Sequence, residues 1–94
     1  MKYVVYIIYS DGLNRYYVGE TIDLDKRLNE HNEGYYNNSY TSLSNDWKLI
    51  LSITCHDRIQ ARKIEGHIKR MKSRKYIEDL VKYPEIIEKL REKY

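Results

Sequence analysis

The 94 residues, with a net charge of +3, allow one compact core and exclude two domains each with its own apolar interior. A 41% hydrophobic fraction excludes a disordered chain, and the lone Cys55 excludes a disulfide-stapled scaffold and fits a reducing compartment. No apolar run approaches the roughly 20 residues of a membrane span, and the first ten residues lack a signal-peptide pattern, so the expected location is cytoplasmic and away from membranes.

Residues 3–9, Tyr-Val-Val-Tyr-Ile-Ile-Tyr, are β-branched or aromatic throughout and predict a strand covered on both faces. Asp11-Gly12 is a two-residue hairpin signal, with Tyr16-Tyr17-Val18-Gly19 as the returning strand. That register sets Ser10 against Leu13 and Tyr6 directly opposite Tyr17, as neighbours on one face. Asp23 is a good N-cap for a helix to about Asn32, stopped by Gly34, with Leu24 and Leu28 as its apolar edge. The polar, Tyr-rich stretch from Gly34 to Asp46 lacks a period and reads as a mobile loop. Trp47 to Cys55 returns to strand character, with Leu49, Leu51, Ile53 and Cys55 on one face.

Asp57 and Gln60 resemble a capping box that opens a helix with Ile64, Ile68 and Met71 as its buried stripe. Ser73 is a fresh N-cap for a short helix through Tyr76, Ile77, Leu80 and Val81. Pro84 starts a last helix carrying Ile86, Ile87 and Leu90. The order ββαβααα predicts an α+β fold, a small antiparallel sheet flanked by helices.

Charge is unevenly spread: residues 1–57 hold 5 basic and 8 acidic side chains, and residues 58–94 hold 12 and 6. Lys69, Arg70, Lys72, Arg74 and Lys75 crowd into seven positions, dense enough to follow a phosphate backbone. The same run also suits a solvated helix end, where cations favour the negative pole of the macrodipole.

Five polar residues stand where a half-buried scaffold does not need them: Tyr6, Tyr17, Arg27, His31 and Glu65. Arg27 and His31, four apart on one helix, project from a common face and can reach one ligand. Each has an ordinary account: a solvated face for Arg27 and His31, an i, i+4 ion pair with Lys69 for Glu65, a hairpin-stabilising aromatic pair for Tyr6 and Tyr17. Gly19 suits either a strand-end bulge or a close backbone approach to a ligand.

In order, Val4-Val5-Tyr6, Tyr17-Val18-Gly19, Arg27 and His31 on one helix and Glu65 on the next resemble the GIY-YIG nuclease domain. The likeness continues through Gly34, Tyr40-Thr41, Trp47-Lys48-Leu49, Ala61, Ile68-Lys69 and Lys72-Ser73-Arg74, covering roughly residues 2–80. Within the family the short stand-alone group, similar to the N-terminal nuclease module of the ABC excinuclease, is nearest. The resemblance implies a three-stranded antiparallel sheet flanked by helices, with residues 1–82 as the nuclease domain and 83–94 as a helix packed on or extending it.

It also implies an endonuclease hydrolysing nucleic-acid phosphodiesters, DNA first, in repair or recombination, with one divalent ion, Mg²⁺ or Mn²⁺. Glu65 matches the metal-binding carboxylate, Tyr17 the tyrosine that takes a proton from the attacking water, and Arg27 the arginine that neutralises phosphate charge. Tyr6 and His31 match groups that orient water or phosphate. Gly19, Tyr35, Tyr36, Tyr40 and the basic run Lys69, Arg70, Lys72, Arg74 and Lys75 are the expected nucleic-acid contacts. A protein partner or homodimerisation would supply specificity.

Three positions depart from the pattern, the least of them Val18, which replaces the Ile of the second triplet. Val4 replaces the Gly of the first triplet, which puts strand packing in question, and Glu20 stands where an excinuclease-type site often carries Lys. Glu20 would either repel phosphate or help hold the metal. Two other readings stay open: a nucleic-acid binding module with little or no cleavage, and an interaction protein using its Tyr-rich loop. Binding that weakens steeply with salt separates the nucleic-acid readings from the last.

Overall fold

Seven of the eight residues of Tyr3–Ser10 are β-branched or aromatic, and they form the central strand, β1. The structure is a computed structural model, and it describes residues 2–34 and 43–94. Antiparallel to β1 run β2 (Arg15–Thr21) and β3 (Trp47–Cys55), in the order β2-β1-β3. Both faces of β1 are covered: Val5 and Ile7 enter one core with Val18, Ile53, Ile64 and Ile68, while Tyr6, Ile8 and Trp47 form a second under Leu24 and Leu28. The order is ββαβααα, an α+β fold with a three-stranded antiparallel sheet, as expected.

The hairpin register differs from the expected one by two residues. The turn spans residues 11–14, Ser10 pairs with Arg15, and Tyr6 lies opposite Gly19 while Tyr17 lies opposite Ile8. Asn14 (φ 55°), and not Gly12, takes the left-handed conformation. The cause is remote in sequence: the Asp46 carboxylate accepts from Gly12 N at 2.8 Å and from the buried Ser10 hydroxyl, and Leu13 N donates to Ser10 Oγ at 3.1 Å. A shift of two preserves the pleat, so Tyr6 and Tyr17 still share a face. Hydrogen bonds from Ser10, Ser44 and Gly12 lower the Asp46 carboxyl to a pKa of about 2. A depressed carboxylate stabilises above its unfolded pKa and loses that contribution as pH falls. The difference in melting temperature between wild type and Asp46→Asn is therefore expected to shrink as pH drops from about 4 to about 2.

β3 does not present one continuous face. A register shift between Ile7 and Ile8 pairs Ile7 with Leu51 but Ile8 with Leu49, so the residue between them, Ile50, is extra. Leu51, Ile53 and Cys55 stay on the face of Val5 and Ile7, whereas Leu49 moves to the opposite face and is exposed. The bulge also turns Trp47 onto the second core beside Tyr6 and Ile8.

Three of the four helices begin where a short side chain caps them, and the last begins at Pro84. Asp23 accepts from Lys26 N to start α1 (Leu24–Asn32), and Gly34 (φ 72°) follows its end. Asp57 Oδ1 accepts from Gln60 N at 2.7 Å to start α2 (Arg58–Met71). Gln60 completes the cap by accepting from His56 N and donates to Arg91 O, which ties α2 to α4 (Pro84–Lys93). Ser73 Oγ accepts from Tyr76 N at 3.1 Å to start α3 (Arg74–Lys82). Ile64, Ile68, Leu80, Ile87 and Leu90 share the larger core. Met71, expected inside, is exposed, because Lys72 (φ 45°) ends α2 and turns the chain so that Ile77 and Leu80 close the core beyond Ile68.

Candidate active site at the edge of the sheet

Gly19 is opposite Tyr6, and the Tyr6 ring lies across it: a Cβ at Gly19 would stand 2.6 Å from Tyr6 Cζ and closer still to its hydroxyl. The missing side chain thus makes room for an aromatic neighbour, and Gly19 is neither bulged nor open for a ligand at this point. The Tyr6 hydroxyl reaches His31 Nε2 at 2.9 Å, and both residues are buried, at 1% and 2% exposure. Burial, then the nearby Arg27 guanidinium, lower the His31 pKa from 6.5 to about 4, against a smaller opposing effect of Glu30. His31 is therefore neutral near pH 7, and in the Nδ1–H tautomer its Nε2 accepts the Tyr6 proton.

A histidine whose folded pKa lies below its unfolded value binds its proton in the unfolded chain first, so stability is full above about 6.5 and is lost as pH falls towards about 4. The full shift sets a ceiling of about 3 kcal/mol. Urea melts of His31→Gln, which keeps an acceptor for Tyr6, are expected to lose this part of the pH dependence between pH 4 and 6.5. An identical slope in both proteins would show that His31 does not carry it.

Tyr17 completes an aromatic triangle on the same face, its ring centroid 6.5 Å from Tyr6 and 5.1 Å from His31. Because β2 is an edge strand, groups from α2 reach round it: Lys69 Nζ sits 5.7 Å from the Tyr17 centroid and 3.4 Å from Glu65 Oε2. Glu65 is thus brought to the Tyr17 edge through Lys69, one helical turn away. Arg27 lies 3.7 Å from Glu30 and lines a cleft at the end of β2 with Tyr3, Glu20 and Arg58. The five residues divide by access: Tyr17, Arg27 and Glu65 are partly exposed, while Tyr6 and His31 lie beneath them.

Val4 and Glu20 are both accommodated. Val4 sits in regular pairing with Thr21 and Thr54, so its side chain does not disturb the strand. Glu20 faces α2 and meets Arg58 Nε at 4.0 Å, which offsets its charge. Of the basic run, Lys69, Lys72 and Arg74 line one cleft, Arg70 reaches back over Gly66, and Lys75 pairs with Asp79 at 2.9 Å. Tyr35, Tyr36 and Tyr40 lie outside the described residues. Sequence patterns gave no sign of Asn32, whose amide bonds Trp47 N at 2.7 Å and Trp47 O at 2.9 Å and so joins the end of α1 to the start of β3.

The family model of the GIY-YIG catalytic domain matches residues 2–77. The chain belongs to the GIY-YIG family. This GIY-YIG protein is similar in structure to the UPF0213 protein BH0048 of Bacillus halodurans, solved in solution by NMR, with 28% identity and a TM-score of 0.55 over 87% of this chain and 84% of that one. No curated protein matches the chain. The GIY-YIG domain is generally an endonuclease fold, which places the chain in a nuclease-type family whose members act on nucleic acid and generally use divalent metals.

Among the described residues, no three His, Cys, Asp or Glu side chains gather to hold a metal. Glu65 offers a single hard oxygen donor group, partly exposed beside Lys69. That donor set fits Mg²⁺ or Mn²⁺, which bind through one or two carboxylates and keep water and substrate phosphate in the other positions. It does not fit a closed structural site.

Proposed function

We propose that the chain is a metal-dependent endonuclease that hydrolyses phosphodiester bonds, with DNA as its substrate, in a repair or recombination process. The supporting observation is the meeting at the β2 edge of a phenol, a cation over that phenol and a carboxylate: Tyr17, Lys69 and Glu65. Tyr17 takes a proton from the water that attacks phosphorus, and Lys69 puts a positive charge over the ring that carries the resulting negative charge. Arg27 presents its forked donors to the phosphate oxygens, where charge grows in the transition state. Tyr6 and His31, being buried, position Tyr17 and do not touch substrate. Glu65 would hold the divalent ion, which when bound supplies Lewis-acid stabilisation of the phosphate and the leaving oxygen.

The test is cleavage of labelled DNA and RNA, including flaps, bulges and nicked duplexes, in Mg²⁺, Mn²⁺ and EDTA. Cutting that needs the metal and favours DNA supports the reading. Binding that weakens with salt, without cutting of any substrate, replaces it with a binding module of the same fold. Cutting that persists in EDTA rejects the role given to Glu65.

A further inference from the structure

We infer that the cleft between the β1–β2 turn and the α2–α3 junction is a second phosphate-binding site, seating the backbone of the nucleic-acid strand beyond the bond to be cut. The cleft has a volume of about 640 Å³ and is lined by four cations from three elements and the turn between two of them: Arg15, Lys69, Lys72 and Arg74. Among the described residues no Asp or Glu lines it. Nor does any described carboxylate pair with Arg15, Lys72 or Arg74. Lys75 and Arg58, by contrast, have acidic partners in Asp79 and Glu20. Unmatched cations gathered in one concave site focus a positive potential there and raise the local concentration of anions.

Arg74 is fixed in place. Its guanidinium lies 5.2 Å from the Tyr16 centroid and 5.9 Å from that of Tyr9, and Nη2 donates to Asn14 O and Oδ1. An arginine held by stacking keeps its other N–H groups preorganised for a phosphate. Both non-glycine residues of positive φ among those described, Asn14 (55°) and Lys72 (45°), border this cleft. Left-handed backbone at a lysine costs energy that a glycine would avoid, and such strain tends to be kept where the side chain has a task.

Lys69 links the cleft to the proposed active site, since it borders the cleft and lies over Tyr17. Lys72 follows Glu65 by seven residues, roughly 10 Å along the helix axis at 1.5 Å per residue. That is about three nucleotide steps at the 3.4 Å rise of one strand. A strand cut beside Glu65 therefore runs into the cleft a few nucleotides away. The inference rests on the proposed function for what occupies the active site, but it makes a binding claim that does not need cleavage.

The test uses the full chain in EDTA, with fluorescence anisotropy of a labelled oligothymidylate and a labelled mixed-sequence duplex across a salt series. The variant is Lys72→Gly with Arg15→Gln. Lys72→Gly removes a cation while suiting the left-handed backbone, so the fold is expected to be kept or strengthened. Losing two phosphate contacts should flatten the slope of log K against log salt by about 2 and weaken binding about 10-fold or more, whatever the base sequence. A double variant with wild-type affinity and slope overturns the cleft and leaves the nuclease reading standing. A wild type that binds with the expected slope yet cuts nothing in Mg²⁺ does the reverse. Competition by poly-glutamate as effective as that by unlabelled oligonucleotide would overturn the assignment to nucleic acid.

Discussion

Glu65→Gln is expected to lower phosphodiester cleavage by about 10³-fold or more, about 4 kcal/mol of transition-state stabilisation, while the protein keeps its wild-type melting temperature. The two halves of this expectation come from different features. Glu65 is an edge residue of α2 whose ion pair, at 3.4 Å, is with the half-exposed Lys69, a kind of contact worth only a few tenths of a kcal/mol in a helix. The amide keeps the volume and loses the charged oxygen that could hold a divalent ion. A large fall in rate with no fall in stability is thus specific to a functional carboxylate. Arg27→Lys should cost about 10²-fold, since a point charge replaces a fork of donors. Single-turnover cleavage alongside thermal melts reads both. Cleavage by Glu65→Gln within a few-fold of wild type would remove Glu65 from the site, and a lower melting temperature would make it structural.

The helices were legible because their signals are local. Asp23, Asp57 and Ser73 each cap the N–H three residues on, and no distant residue is needed to place them. The central strand was legible because residues buried on both faces have to be apolar at successive positions. What escaped was set by contacts between segments far apart in the chain. Asp46 widens a turn 34 residues earlier, and an extra residue at Ile50 sends Leu49 to the other face. Both follow from how the third strand joins the sheet, which no local pattern reports. At the candidate site, the five residue types were visible in sequence, but not their division into a buried pair and an accessible three. That division depends on the register: only with Tyr6 opposite Gly19 can its ring lie flat across the strand and reach His31. The two-residue hairpin would have placed Tyr17 there instead. Likewise the basic run does not say that Arg15, from the hairpin, completes its cleft, nor that Lys75 is already paired.

Gly19→Ala is expected to destabilise the protein by about 2–3 kcal/mol, whereas alanine normally outdoes glycine inside a strand. The new Cβ would lie within 3.0 Å of the Tyr6 ring. Although the hydroxyl is the far end of its side chain, the ring cannot swing away cheaply, because it is 1% exposed and packed with Ile8 and Trp47. Any shift also stretches the buried Tyr6–His31 hydrogen bond, and losing one such bond costs about 1 kcal/mol. Tyr6→Leu ends the clash by shortening the side chain, so adding Gly19→Ala to it should be neutral or stabilising. The double-mutant cycle should then show a coupling of about 2 kcal/mol or more. Cleavage should follow the same logic: the Tyr6 and His31 rings adjoin Tyr17, and a displacement near 1 Å can cost about 10²-fold in rate. If Gly19→Ala destabilises equally with and without Tyr6→Leu, the glycine answers to something other than the Tyr6 ring. If it destabilises through Tyr6 yet leaves cleavage intact, the buried pair supports the fold and does not position Tyr17.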